Sequence, residues 1–300
     1  VFRSLIGPAI EIKYHNDLIS NGHGLAIQVE GKRWFVGDLA RLQSPFTVSP
    51  RARDRDPEII RVLMLAALHE IGASGEVKLV TGLPVSWYGD REKLARSLRG
   101  PHVHSVNGEE HQVTISEVLV IPQPFGSFFR MLLSGTGRLP DESIPLTRQR
   151  VAVIDVGTHT TDYALADALR YVEPKSSSIE VAMGRVYELV QRAVGEQIRE
   201  IDFQEAEEAV QTGEVLMRGR PHDVSSFVDE AVAQVGAQIV GQARTLWGTG
   251  DDLASVLLTG GGAEIFLATV RAAYPHAHIM PEPQMANADG FYRYGIRKFE

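Results

Sequence analysis

The 300-residue chain has no cysteine. Disulfides, thiolate metal ligands and a cysteine nucleophile are therefore excluded, which fits a reducing interior. No apolar run reaches the roughly 18 residues that a membrane-spanning helix needs, and no signal peptide is visible. An excess of positive charge is missing too: 30 Lys and Arg against 38 Asp and Glu give a net charge of −8. That balance argues against a general nucleic-acid or membrane-surface binder. Repeats and low-complexity tracts are absent. There is no Gly-x-Ser-x-Gly elbow, and SGTG at 134–137 lacks the Lys-Ser or Lys-Thr of a P-loop. A methionine is missing from position 1. The opening VFRSLIGPAI reads as the middle of a fold, so further residues are expected upstream of Val1.

With 44% hydrophobic and 23% charged residues, the chain can form one large or two medium domains. Residues 24–40 hold two alternating runs around Gly31-Lys32, a β-hairpin pattern. Residues 53–75 predict a helix capped by Asp56, with Pro57 and Glu58 in its first turn and Gly72 at its end. Residues 77–87 begin as a buried strand and break at Gly82 and Pro84; 117–135 read as strand, Pro-flanked loop and amphipathic helix. The polar, breaker-rich stretch 136–150 predicts a domain boundary. Beyond it come strands over 151–156 and 162–166, and helices near Gly184 and over 204–211. Val228, Val232, Val235, Ile239, Ala243 and Leu246 share one face of a long helix over 225–248. A strand–glycine turn–helix covers 255–274, then a short strand at 278–280 and a final helix over 286–299. Strands and helices alternate in both halves, so the fold class is α/β. His102, His104 and His111 have strand-like spacing, but no acidic second shell is evident, and exposed loop positions are expected for them and for His276 and His278. The acidic run 205–210 reads as a solvated helix face, with a ribose contact from Glu207 or Glu208 as the alternative.

The stretch VAVIDVGTHTTDYALAD (151–167) carries the chemistry. A β-branched strand ends at Asp155, and Gly157 lets backbone approach a ligand with no Cβ in the way. Successive N–H groups and the hydroxyls of Thr158, Thr160 and Thr161 can receive an anion. Bare phosphate would repel Asp155, unless a divalent cation sits between them, held through waters if it is Mg²⁺. A solvated β-turn explains this stretch about as well. The run LLTGGGAEI (257–265) shifts the balance. Gly260, Gly261 and Gly262 permit flat packing on a ring or sugar, and the helix that follows offers N–H groups to an anion.

In this order and spacing, DVGTHTTD and LLTGGGAEI resemble the second phosphate loop and the adenosine loop of the actin/Hsp70/sugar-kinase ATPases. Within that superfamily the sequence is similar to the prokaryotic actin-like proteins, of the ParM-type plasmid-segregation and archaeal kinds. FRSLIGPA (2–9), LVTGLPVSWYGDREKL (79–94), VLVIPQPFGSFFRML (118–132) and MANADGFYRYG (285–295) extend the resemblance over nearly the whole chain. It implies two ribonuclease-H-like lobes with a nucleotide cleft between them, the first formed by 1–138 with about 286–300 and the second by 139–285. It implies ATP or GTP with Mg²⁺. Asp155 would hold the hydrated metal, and Gly157, Thr158, Thr160 and Thr161 would wrap the β- and γ-phosphates. His159 stands where many relatives have glycine; it could touch a phosphate, though a solvent-facing position is the simpler expectation. Gly260, Gly261 and Gly262 would line the adenosine with Glu264 nearby, Gly184 would sit beside the ribose and phosphates, and Gln123 would orient the attacking water. The family's first phosphate loop is not found in these 300 residues and is expected upstream of Val1; without it the clamp would lack one jaw.

The implied activity is that of a cytoplasmic ATPase that polymerises with itself for plasmid or DNA segregation or intracellular positioning. An adaptor protein would bridge to cargo, with no direct membrane contact and no sequence-specific nucleic-acid contact. The alternatives are a non-polymerising small-molecule kinase or a nucleotide-binding scaffold of the same superfamily. In each, the turns Asp155–Asp162 and Gly260–Gly262 are expected to face each other across a gap.

Overall fold

The computed structural model describes residues 2–12, 24–49 and 57–300. Val1 and the expected helix cap Asp56 lie outside the described residues. Contacts divide the chain into two compact units, one of residues 1–79 with 90–120 and one of residues 80–89 with 121–300.

The first unit contains β1 (Ile6–Pro8), β2 (Leu25–Val29), β3 (Lys32–Val36), α1 (Asp38–Gln43) and α2 (Pro57–Glu70). Strand β4 (Gly75–Leu83) follows, then α3 (Arg91–Leu98), β5 (Gly100–Val106) and β6 (Glu109–Pro122); β4 and β6 run on into the residues of the second unit. The strand order is β1-β3-β2-β5-β6-β4. The expected hairpin is β2–β3, turned at Glu30 and Gly31 with φ of 51° and 81°. Ile6, Ile27, Val62, Leu65, Val113 and Ile115 form the unit's core. A second hairpin turns at Asn107-Gly108, with φ of 52° and 94°, the pair that left-handed two-residue turns favour. It corrects the loop placement of the histidines: His104 and His111 are register partners on β5 and β6, and His104 is buried. His278 also lies on a strand, described below.

The second unit contains α4 (Phe125–Leu132), β7 (Arg150–Val156), β8 (Thr161–Asp167), β9 (Arg170–Tyr171), β10 (Ser177–Ile179), α5 (Met183–Gln197) and α6 (Phe203–Thr212). It continues with β11 (Glu214–Met217), β12 (Arg220–Asp223), α7 (Ser225–Trp247), β13 (Ser255–Thr259), α8 (Ala263–Ala273), β14 (Ala277–Ile279), which carries His278, and α9 (Ala286–Phe299). The main sheet has the order β10-β8-β7-β13-β14, with β9 paired to β8. Strand β7 is antiparallel to β8 and parallel to β13.

Alternation along β7 separates two faces. Ala152, Ile154 and Val156 join Leu165, Val190, Val235, Ile239 and Phe266 in the core beneath the helices. Burying each large side chain there contributes about 1.5–3 kcal/mol relative to exposure. The expected stripe on α7 is this core face: Val235, Ile239, Ala243 and Leu246 are buried, with Val228 and Val232 packed against them. Asp155 points the other way, toward Asn287 in the first turn of α9, on the face that it shares with its register partners Asp162 and Thr259. The stretch 136–150 folds as a 3₁₀ segment over Asp141–Arg148 before β7 begins.

Candidate functional site

The site grows from the C-terminal ends of β7 and β13. Their parallel pairing sets Thr259 beside Asp155, so the two turns that follow are neighbours on one sheet edge. Gly262 N–H donates to the Val156 carbonyl at 3.0 Å. An added Cβ on Gly260 would stand 2.5 Å from Asp155 Oδ1 and 2.4 Å from the Val156 oxygen. The turns therefore touch side by side, which corrects the expectation that they face each other across a gap. Gly260, at φ 85°, is a glycine both for its backbone angle and for this contact.

Asp155 is 2% exposed. Burial, and after it the negative charge of Asp162, pushes its carboxyl from 3.8 up to about 7, against opposing hydrogen bonds from Asn287 and Gln123. Asn287 Nδ2 donates to Asp155 Oδ2 at 2.7 Å. Asp162 is satisfied separately, by Val85 N–H at 2.8 Å, Thr160 Oγ1 at 3.0 Å and Ser178 Oγ.

The loop after Asp155 is closed by Gly157 N–H to the Thr160 carbonyl, 3.0 Å. The N-terminus of α5 anchors it: Met183 N–H reaches the Gly157 carbonyl at 3.2 Å and Gly184 N–H the Thr158 carbonyl at 2.7 Å. Gly184 is required by closeness, since a Cβ would lie 2.8 Å from that carbonyl oxygen. The amides of Thr158 and Thr160 lie outside these bonds, and Thr158 is exposed at the tip with His159 and Thr160 half-buried. Thr161 differs from the reading as a phosphate ligand: it is fully buried and its hydroxyl donates to the Val181 carbonyl at 2.6 Å. It braces the loop.

On the β13 side, Gly260 N–H and the Thr259 hydroxyl both donate to the Pro283 carbonyl, at 3.0 and 2.9 Å. Gly260, Gly261 and Glu264 form one wall of a cavity of about 260 Å³, and Glu282, Pro283, Gln284 and Met285 form the other. That volume is below the ~300–1,000 Å³ that encloses a drug-sized ligand, so it suits part of one. Gln123 lies in the turn between β6 and α4, its N–H on the Leu83 carbonyl at 2.7 Å and its side chain bonded to Asp155.

Sequence reasoning missed Asn287 and Ser127. The Asn287 Oδ1 accepts from Ser127 N–H at 2.9 Å and from Ser127 Oγ at 2.7 Å, and Ser127 Oγ also lies 2.8 Å from Thr259 Oγ1. Only the resemblance of the segment 285–295 pointed toward Asn287.

Residues 1–126 match the family described as actin like proteins N terminal domain, and residues 153–272 match the archaeal actin homologue MreB-like C-terminal domain. The chain belongs to the prokaryotic actin-like proteins. Solved actin-like structures have the same fold. A 15-stranded ParM filament from Clostridium botulinum superposes with a TM-score of 0.80 at 21% identity, covering 98% of this chain and 92% of that one. The archaeal actin homolog Ta0583 in complex with ADP gives 0.81 at 19% identity, covering 99% and 92%. The actin-like protein Alp7A gives 0.71 at 15% identity, covering 92% and 82%. No curated protein sequence matches the chain. Among the described residues no helix of this actin-like chain is long and apolar enough to cross a membrane.

Proposed function

We propose that this actin-like chain binds and hydrolyses Mg²⁺-ATP over the Asp155 and Gly260 turns and polymerises with nucleotide bound. The observation that carries the reading is Asp155 itself. A carboxylate so buried that its pKa stands near 7 is costly unless a cation joins it, and it lies directly against the glycine turn. The donor set fits magnesium: a buried carboxylate, with the amides of Asn287 and Gln123 beside it, is a hard oxygen donor that suits an ion held mainly through its waters. Asp155 would hold that hydrated ion, whose charge offsets that of the phosphates. Thr158, His159 and Thr160 supply the loop tip over the phosphates, and Gly261, Gly262 and Glu264 the nucleoside side. Gln123, an amide within bonding reach of Asp155, is placed to orient a water.

The ADP bound to Ta0583 and the ParM filament support nucleotide binding and self-association in this chain. We further propose the lobes as 1–138 with 286–300 and 139–285, supported by the packing of α9 on α4. A cytoplasmic role in plasmid or DNA segregation or in positioning, through an adaptor, completes the reading. Calorimetry on the full natural chain tests it. Mg²⁺-dependent heat on adding ATP is expected, with at least tenfold weaker binding in Asp155→Ala. ATP-dependent pelleting and phosphate release should accompany it. Absence of nucleotide binding overturns the reading.

A further inference from the structure

The unassigned feature nearest the site is the polar cluster where α9 and α4 meet the ends of β7 and β13. Ser127 and Thr259 are fully buried and Asp155 almost so. The orientation of the Asn287 amide is fixed by chemistry. Ser127 N–H can only donate, so the Asn287 atom 2.9 Å from it is the carbonyl oxygen. The amide nitrogen must then face Asp155 Oδ2, at 2.7 Å. Asn287 is thus held at one end by backbone that cannot reverse and presents a donor to one oxygen of the carboxylate. The other oxygen, Oδ1, lies against Gly260. The position of Asn287 is itself tightly defined. A Cβ on Gly126 would meet Asn287 Cα at 2.5 Å, and one on Gly290 would meet the Gly126 carbonyl oxygen at 1.6 Å. Helices α4 and α9 therefore cross in backbone contact at this point, leaving the amide little freedom to turn.

We infer that Asn287 is a positioning residue for the cation: it ties up Asp155 Oδ2 and fixes the plane of the carboxylate, so that a hydrated divalent ion is received in one geometry. Ser127 Oγ lies 2.7 Å from Asn287 Oδ1 and 2.8 Å from Thr259 Oγ1 and gives its single proton to one of them at a time, while the Thr259 hydroxyl donates to the Pro283 carbonyl that also anchors the glycine turn. The inference rests on the proposed Mg²⁺-nucleotide reading. It adds a residue that acts on the metal and not on the nucleoside. Partners that orient a metal-binding group commonly change metal affinity by roughly 10–100-fold when removed.

The experiment measures ATP affinity with Mg²⁺ and with EDTA in the unaltered full chain, in Asn287→Ala and in Ser127→Ala. Asn287→Ala is expected to weaken binding about tenfold or more with Mg²⁺ and less than twofold in EDTA. Ser127→Ala keeps the backbone donor to Asn287 and should lose about threefold, again only with Mg²⁺. Retained affinity in EDTA shows that the variants are folded. Equal losses under both conditions, or no loss with Mg²⁺, overturn the inference while leaving the nucleotide reading intact. Failure of the unaltered chain to prefer Mg²⁺-ATP over metal-free ATP overturns the metal reading itself, and this inference with it.

Discussion

The buried carboxyl of Asp155 costs the folded chain stability at neutral pH. Its carboxyl moves from 3.8 to about 7 on folding, so between those values the folded chain keeps a proton that the unfolded chain has released. Its contribution to stability is therefore greatest below pH 3.8 and declines as pH rises to about 7. Asp155→Asn should be the more stable protein at pH 8 without nucleotide or divalent cation, by up to roughly 4 kcal/mol, with a smaller gap at pH 5. Urea unfolding at the two pH values measures this, and a pH-independent difference would contradict the assignment. The glycine turn offers a cleaner pair. Gly260→Ala puts a methyl 2.4 Å from a carbonyl oxygen at a positive φ and should cost more than about 2 kcal/mol. Among the described residues a methyl added at Gly261 would meet nothing within 4 Å, and the residue is exposed, so Gly261→Ala should change stability by less than about 0.5 kcal/mol. Any loss of nucleotide affinity in Gly261→Ala then reports close approach of the ligand.

Between elements, the α4–α9 crossing and the histidines of the first unit make separate demands. At the crossing, Gly290→Ala would place a methyl 1.6 Å from the Gly126 oxygen. The helices must separate, and a loss of roughly 3 kcal/mol or more is expected from urea unfolding. In the first unit, His104 is 5% exposed and, among the described residues, neither ring nitrogen has a hydrogen-bond partner. His111 stacks on it at 5.7 Å, and His69 from α2 meets His111 edge-on at 4.6 Å. Burial, then the nearby His111, His69 and His102, lower the pKa of His104. The unfolded chain therefore takes up the proton first, near pH 6.5, and stability falls as pH drops from there toward the lowered folded value. His104→Leu should flatten that slope in unfolding curves taken between pH 8 and 5; an unchanged slope would assign it to other groups. His104 and His111 are strand partners because the turn at Asn107-Gly108 pairs β5 with β6, and a polar, histidine-containing stretch does not announce that pairing by itself.

For the molecule as a whole, a net charge of −8 opposes association of like copies. If nucleotide drives assembly, added salt up to about 0.15 M shortens the screening length to about 8 Å and should lower the protein concentration at which ATP-dependent light scattering begins. Assembly that weakens with salt instead would point to contacts made by paired opposite charges. The α/β class and the actin-like family were legible across nearly the full chain, because each element carries its own signal. Most element positions follow from it: the β-branched run of β7, the glycine turn after β13 and the periodic stripe of α7 appear where their sequences place them.

The sequence by itself determined the local chemistry: a strand ending in Asp155, a threonine-rich loop, and a glycine turn opening a helix. These depend on residues near one another, whose periodicity and turn preferences act over a few positions. Only the tertiary structure decided that the two turns lie side by side, because parallel pairing of β7 with β13 joins segments about a hundred residues apart. It likewise brought Asn287 to Asp155 across 132 positions and turned the hydroxyl of Thr161 inward. A lone amide near a helix start has no periodicity to announce a partner. Its orientation is fixed by the crossing of two helices close enough to require glycine, and by the direction of the Ser127 backbone donor that it meets there.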